Sequence, residues 1–274
     1  MNKYEIEIPL DGYFQDEKIP FSHDIAIGRW SYDEKMPSAK MSIEANTERE
    51  AQNSAIKKLE LFLNMYYLYS FNALSISQKH QIDIKNLSTG NILSTAKLHS
   101  ISGKQFNQQE FCDVLKNYFE KVLESRNEYL RIATTYFRRG RLDEYFDSKF
   151  IDWFIALEAL YSKDEERTEM RFRLSNRIAT LLGESTDERI SIQEKFKKLY
   201  DLRSAVVHGS KSLSPNPDTS LIFTWLKESI LRFLVLSKKY NHDEIVSKID
   251  QGMIDNTIAK QLQDESSSLI EKIL

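Results

Sequence analysis

A single cysteine, Cys112, in 274 residues leaves no partner for an intrachain disulfide and no thiolate set for a cysteine-built zinc site. Such sparing use of cysteine fits a reducing compartment, and a cytoplasmic location is expected. No apolar run approaches the ~20 residues that cross a bilayer, so no membrane partner is expected. The first residues, Met1 to Ile8, alternate polar and apolar side chains and lack the apolar stretch of a secretory leader. Charge of one sign is scarce as well. The 38 Lys and Arg against 41 Asp and Glu leave a formal net charge of -3, so any nucleic-acid contact has to come from a local patch. Outside the stretch discussed below, His23, His80, His99 and His242 are dispersed without HxH, HxxxH or HxxE spacing, which argues against a metal site. No glycine-rich loop offers a phosphate cradle, and no cofactor is expected. With only 8 Gly and 5 Pro, long segments stay uninterrupted, which favours helix.

What is present falls into two parts. Residues 3–8, 25–31 and 39–45 are short alternating segments punctuated by Pro9, Gly12, Pro20, Gly28 and Pro37, the pattern of strands in a small sheet. Asn46-Thr47-Glu48-Arg49-Glu50 forms a capping box at the head of a helix running to about Ala73. Its last two turns, residues 65–71, are apolar or aromatic almost all round and so are expected to be buried on more than one side. A further strand pair, 80–87 and 91–99, flanks Ser88-Thr89-Gly90. The polar stretch from Ser100 to Gln105 is the expected seam. Beyond it the periodicity is helical throughout: 108–137, 142–162 after a break at Arg138-Arg139-Gly140-Arg141, 168–182, 187–208, 218–240, 243–250 and 255–273. The fold class is mainly α, with a small α+β module over 1–103 and a helical domain over 104–274.

One stretch, Tyr200-Asp201-Leu202-Arg203-Ser204-Ala205-Val206-Val207-His208-Gly209, combines chemistry with structure. Ile192, Phe196, Leu199 and Val206 recur at steps of three and four, and Gly209 supplies a left-handed stop. Arg203 falls in the register of those apolar residues, where a guanidinium is costly unless a carboxylate, a phosphate or a partner meets it. His208 closes the helix, where the negative end of the helix dipole favours a cation. Residues five apart point about 140° away from each other, so the two converge only through a long reach, a deformed last turn, or two copies of the helix across a twofold axis. Glu158, on the apolar stripe of the 142–162 helix, is a candidate partner for Arg203 through two parallel hydrogen bonds. Ser204 is a candidate to hold the phosphate or the imidazole. Arg138, Arg139 and Arg141 form the densest cationic cluster, and Lys211 lies just past the motif; each is a candidate phosphate contact.

These residues carry a family resemblance. Arg203-Ser-Ala-Val-Val-His208 is similar to the Arg-x4-His motif of the HEPN superfamily. Trp153-Phe-Ile-Ala-Leu-Glu158 followed by Arg177-Ile-Ala-Thr-Leu-Leu182 looks like the Apea-like branch over residues 145–240. The resemblance implies a helical bundle and a metal-independent endoribonuclease. His208 would be the general acid or base, Arg203 the stabiliser of the phosphorane, and the product a 2′,3′-cyclic phosphate. It also implies RNA as substrate, a homodimer built through the motif helix, a role in antiviral defence or as a toxin, and a regulatory or antitoxin partner. The alternative is a non-catalytic helical module for dimerisation or nucleic-acid binding.

Overall fold

A computed structural model describes residues 1–12, 21–25, 28–32, 37–69, 74–76, 82–90, 92–95, 108–118, 122, 127–163, 169–214 and 217–270. The chain divides into two compact units, Met1–Ser125 and Arg126–Leu274. The first is the small α+β module, the second a helical bundle.

The first unit contains β1 (Asn2–Gly12), β2 (Phe21–Ile25), β3 (Gly28–Tyr32), β4 (Pro37–Ala45), α1 (Glu48–Tyr69), β5 (Leu74–Ile76), β6 (Ile82–Asn86), β7 (Ile92–Thr95) and α2 (Gln108–Tyr118). The strands form an antiparallel sheet in the order β2-β3-β4-β1-β6-β7, with β5 added at the end of β1. Alternation sets which face is buried: Tyr4, Ile6 and Ile8 of β1 lie in register with Ile43, Met41 and Ala39 of β4 and all six are buried, as is Leu10, which pairs with Ile76 of β5. Thr47 opens α1 by accepting the Glu50 N–H at 3.2 Å, while the Glu50 carboxylate takes the Asn46 N–H at 3.0 Å. Residues 61–68 are buried on every side of the helix, as their all-round apolar character requires. Phe111 of α2 meets Phe62 and Tyr66 edge-on, with ring centroids 5.6 and 5.7 Å apart. That contact places α2 with the first unit, so the division falls after Ser125 and not after Gly103. The polar seam itself lies outside the described residues.

The second unit is built from α3 (Glu128–Leu142), α4 (Phe146–Tyr161), α5 (Met170–Leu182), α6 (Thr186–Val207), α7 (Pro217–Leu236), α8 (His242–Gly252) and α9 (Asn256–Ser266), with a 3-10 turn at Ser267–Leu269. α7 is apolar around most of its circumference and packs on α3, α4, α5, α6 and α9. Phe137, Phe150, Phe154, Tyr161, Phe196 and Phe233 fill the core.

Two expectations for this region are corrected. The continuous helix over 108–137 is instead two, because Asn127 has non-helical backbone, φ -83° and ψ 69°, and α3 starts after it. The break at Arg138-Arg139-Gly140-Arg141 is absent: α3 runs through it to Leu142, and the chain turns where the Asp143 carboxylate accepts the Tyr145 N–H at 2.8 Å. Arginine is a good helix former, and Gly140 serves close packing here, not chain reversal. A Cβ at Gly140 would stand 2.7 Å from Trp153 Cδ1 and 3.1 Å from the Lys149 carbonyl oxygen.

Gly140→Ala therefore sets a helix-propensity gain of ~1 kcal/mol against an overpacking cost of ~1–3 kcal/mol. The collision involves a buried indole and a backbone carbonyl, so a net loss of stability is expected. Urea unfolding measures it, and a variant at least as stable as the wild type contradicts this account of the glycine.

Candidate functional site

The geometry of the motif follows from how α6 begins, packs and ends. Ser185 and Glu188 form a reciprocal capping box at its start. Phe196 and Leu199 are its two buried residues, and Phe154 of α4 packs against Phe196 and Tyr200 with centroids 5.5 and 5.8 Å apart. Glu158 follows Phe154 by one turn of α4, and Arg203 follows Tyr200 by one turn of α6. The aromatic contact therefore brings the carboxylate and the guanidinium to the same level of the seam. Arg203 Nη2 lies 3.5 Å from Glu158 Oε1, with the two side chains 23% and 24% exposed. Tyr200 donates its hydroxyl hydrogen to the same carboxylate, and the guanidinium carbon sits 5.9 Å from the Tyr200 ring centroid.

This contact is one-pronged where a two-pronged fork is expected, and Arg203 Nε is buried without a hydrogen bond. Partial exposure places the pair between the ~0–1 kcal/mol of a surface bridge and the ~3–5 kcal/mol lost when a buried pair is broken. Burial pushes the Glu158 carboxyl up, against the opposing pull of Arg203 and the Tyr200 hydrogen bond. Burial also pushes the Tyr200 hydroxyl up, with the Glu158 charge adding to it and Arg203 opposing it.

The helix ends as the glycine requires. His208 is the C-cap, its N–H bonded to the Ser204 carbonyl at 3.1 Å. Gly209 takes φ +68°, with the Gly209 N–H to Val206 O and the Ser210 N–H to Ala205 O, both 2.9 Å, completing a Schellman motif. The His208 side chain is exposed. Because α6 is regular through Val207, Arg203 faces α4 while His208 points about 140° away. Within one chain the two do not share a face. Ser204 is half-buried and meets His208 through its backbone carbonyl.

Lys211 is exposed just past this stop, in a loop held by a residue that the sequence reading missed. Asp147, in the first turn of α4, accepts from the Ser212 hydroxyl at 2.8 Å and the Leu213 N–H at 2.6 Å. An acidic residue in a first turn is too common to mark itself as a loop anchor.

The arginine cluster is placed differently from Lys211. Arg139 Nε lies 3.3 Å from Asp152, and its guanidinium covers the Tyr136 ring at 4.7 Å. Asp152 is buried, so this cation is committed to the seam between α3 and α4. Arg138 and Arg141 are half-buried. Arg141 lies close enough to Lys227 for its charge to add to burial in pushing that buried ammonium down to about 8.

A cleft of about 710 Å³ opens between the starts of α3 and α8 and the end of α4, with Glu158 in its wall. Tyr129 and His242 stack there with centroids 4.1 Å apart, and His242 Nε2 donates to the Leu160 carbonyl at 2.8 Å. The Tyr129 hydroxyl is paired with Ser237, and burial pushes it up to about 12. Lys163, also in the wall, donates to Ser247 at 3.0 Å and lies 3.6 Å from Asp250. Among the described residues no three His, Cys, Asp or Glu side chains converge to hold a metal ion, and no helix is long and apolar enough to cross a membrane. Comparison of the chain with family models, with curated proteins and with solved structures returned no match.

Two outcomes follow from this geometry. Glu158 binds its proton more tightly folded than unfolded, so its contribution is fully present below the ordinary carboxyl value of 4.5 and lost as pH rises through the higher native value. Glu158→Gln has no such titration. Wild-type minus variant unfolding free energy should fall as pH rises across that window in a series of urea melts, and parallel profiles would remove the burial argument. Asp147→Ala deletes both loop anchors, and faster amide hydrogen exchange at Leu213 is expected, with a global loss of no more than ~1–3 kcal/mol.

Proposed function

We propose that the chain is a metal-independent endoribonuclease of the HEPN type, acting in antiviral defence or as a toxin. His208 takes the proton from a ribose 2′-hydroxyl, the 2′-oxygen attacks phosphorus, and the 5′-oxygen leaves with a proton returned to it. The products are a 2′,3′-cyclic phosphate and a 5′-hydroxyl end. Arg203 balances the charge that develops on the phosphorane.

The observation that supports this reading is the end of α6, where a Schellman stop presents an exposed imidazole, with the exposed Lys211 three residues on. One and a half turns earlier, the guanidinium is held in orientation by Glu158 and Tyr200. Because Arg203 and His208 face different ways, the proposal includes a twofold pairing of α6 helices, in which His208 of one copy meets Arg203 of the other. Val207, one turn beyond Arg203 and 48% exposed, gives that pairing an apolar contact. Orientation of Arg203 by a carboxylate also suits the competing reading, a helical module for dimerisation or nucleic-acid binding in which Arg203 only bridges α4 and α6.

Incubation with mixed tRNA, rRNA and mRNA in EDTA separates the two. The wild type is expected to cleave, leaving cyclic-phosphate ends, while Arg203→Ala and His208→Ala each lose roughly 10²–10⁴-fold in rate. Sedimentation should show a dimer. RNA bound but uncut by the wild type, or cut equally by both variants, defeats the nuclease assignment.

A further inference from the structure

We infer that the cleft between α3, α4 and α8 is a binding site for a small organic cation, an amidine or amine carried on an apolar body, with Glu158 as the carboxylate that receives it. This site goes beyond the ribonuclease reading and does not depend on it. The cleft has a volume of about 710 Å³, within the ~300–1,000 Å³ that small-molecule sites occupy. Ile155, Glu158, Ala159 and Ser162 recur at helical spacing along one face of α4 and form one wall. Tyr129 and Ile132 of α3 supply a second, and the start of α8 closes a third with His242 and Asp243.

Two kinds of group in these walls have surface to offer. Ile132, Ile155, Ala159 and Met170 line the cleft half-buried, so an apolar body releases water from all four. The stacked Tyr129 and His242 rings give the same space an aromatic side. Glu158 supplies the polar anchor, its side chain 24% exposed. Arg203 meets this carboxylate with one nitrogen at 3.5 Å and Tyr200 with its hydroxyl, which uses two of the ~four acceptor positions a carboxylate has. A planar amidinium carries parallel N–H donors of the kind that pair with such an acceptor.

The sign of the ligand's charge follows from the lining. Three carboxylates, Glu128, Glu158 and Asp243, stand against one ammonium, Lys163, which Ser247 and Asp250 already hold. Arg131 answers Glu128 at 3.3 Å, whereas Asp243 has no ion-pair partner among the described residues. Glu128 and Asp243 also occupy the first turns of α3 and α8, where they answer the positive helix ends that would otherwise draw an anion. An anionic ligand adds charge of the sign the walls already carry, and a cation relieves it.

Three probes of one shape, benzamidine, benzamide and benzoate, carry positive, zero and negative charge, and ligand-observed NMR titration of the full chain measures each. Benzamidine is expected to bind with millimolar affinity or better, benzamide more weakly and benzoate weakest. Glu158→Gln should weaken benzamidine roughly tenfold or more, as loss of a charged hydrogen-bond partner does, with little change for benzamide. Ala159→Phe fills the cleft from a half-buried position and should abolish binding of both. Benzoate bound as tightly as benzamidine overturns the inference, as does benzamidine bound equally by the wild type, Glu158→Gln and Ala159→Phe. No binding of benzamidine up to roughly 10 mM overturns it as well. Should Glu158→Gln unfold, Ala159→Phe and the order of the three probes decide. None of these outcomes touches RNA cleavage, so the ribonuclease assignment stands or falls by its own assay.

Discussion

A guanidinium enters the seam between α4 and α6 only because a carboxylate is already at the same height. The aromatic contact of Phe154 with Phe196 and Tyr200 sets that height, since each charged residue lies one turn beyond its own aromatic neighbour. Dispersion and burial fix the register, and the charges then require it: a slip of one residue on α6 would leave Glu158 half-buried without its cation. Tyr200 does two jobs, as its ring packs on Phe154 while its hydroxyl binds the carboxylate. The orientation of Arg203 thus follows from the packing of two helices and not from any loop.

The same device recurs deeper in the bundle with better geometry. Arg177, 2% exposed, holds Asp250 of α8 with two hydrogen bonds of 2.7 and 2.9 Å and gives a third, 2.6 Å, to the Tyr161 carbonyl at the end of α4. Arg232 of α7 bonds Glu228, the Gln263 carbonyl and Ser266, while Gln263 reaches the Thr180 and Gly183 carbonyls of α5. Those cations have most of their donors matched, as burial demands. Arg203 stands apart, with one long contact and an unbonded Nε.

Much of the bundle was legible because its signals are local. The glycine stop at Gly209 and the apolar stripes of α4 and α7 each depend on residues within a few turns of one another. Glu158 was legible as a partner for Arg203 because it flanks the buried stripe of the neighbouring helix. The reading failed where a residue's meaning depends on a distant surface. Gly140 looks like a helix breaker until Trp153 of the next helix comes against it. Asp147 resembles any first-turn acid until the loop 66 residues later donates to it. The cleft beside Tyr129 and His242 joins three helices that are far apart in sequence, so no local pattern could announce it.

The two faces of α6 therefore carry different loads. The inward face, Phe196, Leu199, Tyr200 and Arg203, is bound up with the packing of α4, and changes there reach stability before they reach chemistry. The outward face, Lys197, Asp201, Ser204 and His208, meets the first turn of α5 through Arg171. On the ribonuclease reading, a motif split in this way needs a long reach of Arg203, a deformed last turn, or a second copy of α6. On that reading, pairing of two α6 ends would leave both caps intact and set an inward guanidinium beside an outward imidazole.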